Sequence, residues 1–309
     1  MIVLKQHSNP THLSKTIILF GVGLIGSNIV DELKQQNKYD IMKYEFPWTN
    51  QQKQIDVLQK IEKEIDESDQ AAQGRTHIVW SAGQAGFSAS ELETNSELSS
   101  FCTVLDFAKR QATRNPMRSI DFHLISSAGG LFEGKRHITQ NTIPEPLRPY
   151  GKLKLQQENY LNATSPTLGK HIYRPSSVYG PIIKNHRRGL VPTLILNGVQ
   201  HQVSQIIGHL STLRDYVWVK DIAQFIVANM NNSKSGYYLL ASGKPTSILE
   251  IVKQVENIIR RAIYINYSST PLNSVDITFS QNALPQTWTP TDLKVNIAQI
   301  YNKLRQQGF

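Results

Sequence analysis

Read as hydrophobic and polar positions, the first half of the chain switches repeatedly between a strand period and a helix period. Lys15-Thr-Ile-Ile-Leu-Phe20 is a short, apolar, β-branched run that predicts a strand, and Gly21-Val-Gly23-Leu-Ile-Gly26 follows it at once. The helical pattern of 27–33 comes next. The same rhythm predicts a strand at 39–44, an amphipathic helix at 51–69 and a strand at 77–81 closed by Ala82-Gly83. It then predicts a helix near 92–113, a strand at 121–126, a helix at 150–162 and a strand at 170–173. Alternating β and α elements imply a Rossmann-like, doubly wound parallel sheet of the α/β class.

Beyond Arg174 the alternation loosens, with turn-rich stretches around Gly180-Pro181, Gly198 and Gly208. A strand-helix pattern returns at 216–231, and further helices are predicted near 248–262 and 291–306. We read 1–174, with 216–235 returning to it, as the Rossmann domain, and 175–215 with 236–309 as a smaller C-terminal α/β lobe. No Gly/Ser-rich or Pro-rich linker separates the two.

Composition narrows the class. Hydrophobic residues make up 39% of 309, which suits a well-cored protein, and the net charge of +9 is dispersed. The densest basic cluster is His186-Arg187-Arg188, too small for a nucleic-acid stripe. Cys102, the single cysteine, excludes an internal disulfide, and its apolar neighbours predict a buried thiol. No His or carboxylate spacing points to a metal. The opening residues lack a signal peptide's apolar core and no run is long enough to span a bilayer, so a cytoplasmic protein is expected, without membrane or nucleic-acid partners.

Two local patterns carry chemistry. Gly21, Gly23 and Gly26 lie between a strand and a helix, the context in which such glycines admit a dinucleotide pyrophosphate to a helix N-terminus. Glu45 lies 19 residues past Gly26, at a strand end, where a carboxylate would accept the adenosine ribose hydroxyls and favour NAD over NADP. Lys43, two residues away, leaves NADP open. Tyr150 and Lys154 stand four residues apart, one helical turn, so the ammonium and the phenol share a face and the cation favours phenolate. With Ser126-Ser127 upstream, such a pair can move a proton to or from a carbinol, the acid-base half of hydride transfer.

Together these residues resemble the extended short-chain dehydrogenase/reductase superfamily, in its nucleotide-sugar epimerase/dehydratase branch. The resemblance also runs through Ala82-Gly83, Asn95, Arg174-Pro-Ser-Ser-Val-Tyr-Gly-Pro181 and Arg214-Asp-Tyr-Val-Trp-Val-Lys-Asp221. It implies Tyr150 as acid/base, Lys154 as the residue that lowers the phenol's pKa and holds the nicotinamide ribose, and Ser127, ahead of Ser126, as partner of the reacting hydroxyl. It implies a cofactor site of Gly21, Gly23, Leu24, Ile25, Gly26, Glu45, Ala82, Gly83, Tyr150, Lys154 and Pro175. It makes the C-terminal lobe a substrate lobe, with Ser127, Ser177, Arg187 and Arg214 on a nucleotide-diphosphate sugar. Relatives of this kind often form homodimers through the helix carrying Tyr150 and the one before it.

The chain departs from the family's usual GxxGxxG spacing, and Ser177 replaces the asparagine of NVYGP. Ser127 is followed by Ala128-Gly129, where dehydratases need an Asp-Glu pair to protonate a leaving hydroxyl and abstract a C5 proton. The resemblance therefore implies an NAD-dependent epimerase, acting at a sugar carbon such as C4. The alternatives are an NAD(P)H-dependent reductase of an NDP-4-keto-sugar and a dinucleotide-binding regulator without turnover.

Overall fold

A computed structural model of the chain describes residues 1–6, 14–68, 74–83, 86, 89–114, 117–183, 188–231 and 234–307. In chain order the strands are β1 (Ile2–Gln6), β2 (Ser14–Phe20), β3 (Tyr39–Lys43), β4 (Gly74–Trp80), β5 (Arg118–Ile125), β6 (Leu168–Pro175), β7 (Ser177–Tyr179), β8 (Ser204–Ile207), β9 (Leu213–Arg214), β10 (Tyr216–Trp218), β11 (Gly236–Leu240), β12 (Thr246–Ser247) and β13 (Ile265–Ser268). The helices are α1 (Leu24–Gln35), α2 (Gln51–Ser68), α3 (Glu91–Arg114), α4 (Ala128–Leu131), α5 (Pro149–Asn162), α6 (Leu190–Val199), α7 (Val219–Asn229), α8 (Ile248–Ile259) and α9 (Leu293–Gln306).

Among the described residues seven strands form one sheet, in the order β11-β6-β5-β4-β2-β1-β3. Strands β2, β4, β5 and β6 pair in parallel, and their register sets Phe20 beside Trp80, Trp80 beside Leu124 and Leu124 beside Ile172. Their carboxyl ends therefore share one edge of the sheet, where ligands of doubly wound folds bind.

The doubly wound parallel sheet is present as expected, with one antiparallel strand inserted near its edge. β1 runs antiparallel between β2 and β3, matching Ile2 to Leu19 on one side and to Lys43 on the other. A strand of five residues carries little periodic signal of its own, and one of its partners, β3, begins only at Tyr39.

Alternation along the strands gives the sheet two different faces. On one, Phe20, Trp80, Phe101 of α3 and Phe122 form a chain of ring contacts with centroids 5.4–6.1 Å apart. Cys102, predicted to be a buried thiol, packs at the margin of this core and is half-buried. The other face carries a buried polar cluster. His77 Nδ1 and His123 Nε2 share a hydrogen bond at 3.0 Å, His123 Nδ1 and Tyr173 Oη another at 3.0 Å, and Asn229 Nδ2 donates to Tyr173 Oη at 2.9 Å. Arg75 Nε donates to Asp121 Oδ2 at 2.7 Å in the same cluster.

The chain divides into two compact units: 1–131, 146–174 and 226–238 in the first, and 132–145, 175–225 and 239–309 in the second. The second is built on α6, α8 and α9, whose Leu194, Ile195, Ile251, Val255, Ile297 and Ile300 share one apolar core. α8 starts with a reciprocal cap, in which Glu250 N donates to Ser247 Oγ and Ser247 N to Glu250 Oε2.

Candidate active site

The glycine turn sits where β2 ends and α1 begins. Gly21 adopts φ +88°, and a Cβ there would lie 2.3 Å from Ala82 Cα, so the turn rests directly on the residue that follows β4 and Ser81. A Cβ on Gly26 would lie 2.0 Å from Gly21 O. Gly23 and Gly83 differ from these: a Cβ on either meets nothing within 4 Å. Two glycines are thus needed for packing, and two face open space, Gly23 at the N-cap of α1 and Gly83 just past β4. The first turn of α1 presents main-chain N–H groups, and its N-cap Gly23 supplies no side-chain cap. Leu24 and Ile25 open the helix. An elongated diphosphate fits this arrangement, because the backbone is bare where the anion would approach and the helix dipole is positive there.

Glu45 is exposed just past β3. β1 separates β3 from β2, yet the chain folds back after it: the Phe46 ring meets Phe20 edge-on, with centroids 5.1 Å apart. This returns the segment carrying Glu45 toward the last residue before the glycine turn.

The two serines that end β5 have different surroundings. Ser126 Oγ donates to Glu158 Oε1 at 2.6 Å, and Arg174 grips the same carboxylate from Nε at 3.0 Å and Nη2 at 2.6 Å. Ser127 Oγ accepts from Gly130 N at 3.2 Å, at the start of α4. Gly130 in turn supports the phenol: a Cβ there would come within 3.0 Å of Tyr150 Cδ1 and Cε1. Gly151 matches it, since a Cβ at that position would lie 2.1 Å from Gly130 O. α4 and α5 therefore approach closely enough to bring Ser127 and Tyr150 to one place. Pro149 at the first turn of α5 fixes where that helix begins.

One turn further, Lys154 Nζ lies 5.7 Å from the centre of the Tyr150 ring. The ammonium is buried, and its partners come from two helices. Nζ donates to Glu97 Oε1 of α3 at 3.1 Å and to Gln157 Oε1 at 3.1 Å, while Gln157 Nε2 donates to Glu97 Oε1 at 3.2 Å. Burial by itself would lower the Lys154 pKa, but the negative charge of Glu97, then Tyr150 and Glu158, more than offset it, and the pKa is raised. Neither Glu97 nor Gln157 is singled out by the sequence. An acid on an amphipathic helix reads as a solvated side chain, and its partner lies 57 residues away.

The remaining candidates belong to other places. Pro175 closes β6. Ser177 opens β7 in the second unit, its N–H donating to Asp215 O at 2.9 Å. Arg214, also in the second unit, donates to the carbonyls of Val275 and Leu213. Asp215 accepts from Ser176 Oγ, Ser242 N and Gly243 N, and Asp221 accepts from Thr291 N and Oγ1. Burial raises the pKa of both acids. Arg187 lies outside the described residues. Among the described residues no group of three or more His, Cys, Asp or Glu could hold a metal ion, and no helix is long and apolar enough to cross a membrane.

A glycine turn on a doubly wound sheet, a serine at the end of β5 and a Tyr-Lys pair on α5 define a protein of the short-chain dehydrogenase/reductase class. More narrowly, the chain belongs to the NAD dependent epimerase/dehydratase family, whose sequence model matches residues 17–240. It is similar to a putative UDP-glucose 4-epimerase of Methanocaldococcus jannaschii, at 24% identity over 312 residues covering 94% of this chain and 99% of that protein. A dTDP-L-rhamnose 4-epimerase of Burkholderia thailandensis is 31% identical over 118 residues, covering 36% of this chain and 32% of that protein. The fold matches that of the Thermus thermophilus UDP-glucose 4-epimerase, solved in complex with NAD, with a TM-score of 0.76 at 18% identity, covering 94% of this chain and 98% of that one.

Proposed function

We propose that the protein is an NAD-dependent nucleotide-sugar epimerase that inverts one sugar carbon, C4, of a UDP-linked hexose. The observation that carries this is the convergence of Ser127, Tyr150 and Lys154 beside a strand edge that also bears the open Gly23 and Gly83, with Ala128-Gly129 following the serine. No acid or base stands at those two positions, so the elimination of water has no proton donor there. The relatives named as UDP-sugar 4-epimerases support the same reading.

In this reading Gly21, Gly23, Leu24, Ile25 and Gly26 hold the pyrophosphate, Glu45 the adenosine ribose, Ala82, Gly83 and Pro175 the rest of the dinucleotide, and Lys154 the nicotinamide ribose. NAD bound there would supply a reversible hydride acceptor for the sugar carbon. Tyr150 Oη removes the proton of the sugar hydroxyl, and returns it to the same oxygen once the carbon has presented its opposite face. Lys154 sets a positive charge beside the Tyr150 ring, and Ser127 Oγ hydrogen-bonds the hydroxyl so that its proton points at Tyr150 Oη. Ser177, Arg187 and Arg214 take the substrate, the arginines matching phosphate oxygens in charge and shape. A cytoplasmic homodimer completes the proposal.

Tyr150→Phe tests the assignment. The variant is expected to bind NAD as the wild type does while losing epimerisation by about 10³-fold, because a general acid/base contributes roughly 10²–10⁴. Turnover within threefold of wild type would remove Tyr150 from the reaction.

A further inference from the structure

We infer that Glu97 is the positioning residue of this site, holding the Lys154 ammonium charged and stationary beside Tyr150, with Gln157 as the brace that closes the arrangement. The inference rests on the dinucleotide-dependent reading above for its functional meaning, but its physical content is local to α3 and α5.

Lys154 is 3% exposed and Glu97 8%. A lone ammonium so deeply buried favours the neutral amine, and a neutral amine sets no charge beside Tyr150. The carboxylate at 3.1 Å removes that tendency. Gln157 then constrains direction. It accepts from Lys154 through Oε1 and donates to Glu97 through Nε2, so the three side chains form a closed triangle. Among the described residues two of the three N–H groups of the ammonium are thereby given fixed acceptors, and the direction of the third is set. The spacing of Tyr150, Lys154 and Gln157 puts all three on one face of α5, and α3 supplies Glu97 from a helix of 24 residues.

The ionisable groups near Nζ are Glu97 from α3 and Tyr150 and Glu158 from α5. Glu158 is shared by Ser126, just past β5, and Arg174 of β6, so Glu97 is the carboxylate bonded to the ammonium. α4 contributes Ala128, Gly129, Gly130 and Leu131, none of which titrates.

A role confined to helix packing makes a different prediction from a role in positioning. Glu97→Gln keeps the shape and an acceptor but removes the charge. In the ligand-free protein, the Lys154 side-chain NMR signal, assigned by its loss in Lys154→Met, is expected to titrate at least about one pH unit lower in Glu97→Gln than in wild type. NAD affinity, measured by calorimetry, is expected to fall about tenfold at pH 7 and further toward pH 9, while wild type stays level. Glu97→Asp, which restores the charge, is expected to restore the level profile. In the Lys154→Met background, adding Glu97→Gln is expected to change NAD affinity by less than twofold, because the coupling requires the ammonium. That comparison also serves if Glu97→Gln alone does not fold, since no unpaired charge is then left buried.

An unmoved Lys154 titration in Glu97→Gln overturns the inference. So does a loss of NAD affinity in the double variant, relative to Lys154→Met, as large as that of Glu97→Gln alone. Failure of the epimerase reading would show separately, as wild-type protein that turns over no UDP-sugar, and the NMR titration judges Glu97 in that case too.

Discussion

Ser126 Oγ is bonded to Glu158 at 2.6 Å, and that carboxylate is simultaneously clamped by Arg174 through two nitrogens. Of two adjacent serines at the end of β5, one is thus engaged in tying strand to helix, and its neighbour Ser127 lies at the start of α4 beside the glycine that carries the Tyr150 ring.

The two serines should therefore fail differently. Ser127→Ala is expected to lower kcat by about 10²-fold with a melting temperature close to wild type, because it removes one hydrogen bond to the reacting hydroxyl. Ser126→Ala is expected to cost about 1.5–3 kcal/mol of stability, the range for hydrogen bonds to charged groups, with turnover within about threefold of wild type. Denaturant titration and steady-state kinetics on both variants check this, and a reversed pattern would exchange the roles.

Gly130 tests the placement of the phenol. A Cβ at this position would press on Tyr150 Cδ1 and Cε1 at 3.0 Å and on Gly151 Cα at 3.2 Å, so the ring or the helix must move. The ring has to give by only a few tenths of an ångström, less than the ~1 Å misplacement that costs about 10²-fold in rate, so Gly130→Ala is expected to lose activity by about tenfold while NAD binding changes little. Equal losses in NAD binding would show that the damage spreads beyond Tyr150.

The histidine cluster links stability to pH. Burial pushes the His77 pKa down from 6.5 to about 3, partly countered by Asp121, with Lys15, Arg75 and His171 pushing the same way as burial. Burial, then the charges of His77, His171 and Arg75, push His123 well below its usual value. Both are neutral in the native protein at pH 7, and the unfolded chain takes up their protons near pH 6.5. With folded values below unfolded ones, their contribution is complete above pH 6.5 and is lost as pH falls from there toward about 3. The difference in unfolding free energy between wild type and His77→Gln should change between pH 6.5 and 4.5 with a slope approaching one proton. A difference independent of pH would place His77 among residues that titrate normally.

Much of this architecture is written in local patterns. The β2-turn-α1 unit is legible because Lys15 to Gly26 contains its own strand, turn and helix start within twelve residues, and Tyr150-Lys154 is legible because four residues is one turn. The parts that escape are those whose meaning is non-local. β1 takes its place from registers with residues 16–19 and 39–43, which five residues of sequence do not announce. Glu97 and Lys154 meet across 57 residues, and His77, His123 and His171 each look like a single polar position in an apolar strand until the parallel register brings them together.

In an epimerase of this kind the hydride leaving the sugar returns to the same carbon. Purified protein, given UDP-hexoses one at a time with no added cofactor, should convert at least one of them to its C4 epimer with no net change in absorbance at the reduced-nicotinamide wavelength. Strict dependence on added NADPH, with its stoichiometric oxidation and a reduced sugar as product, would contradict the epimerase and make the protein a reductase.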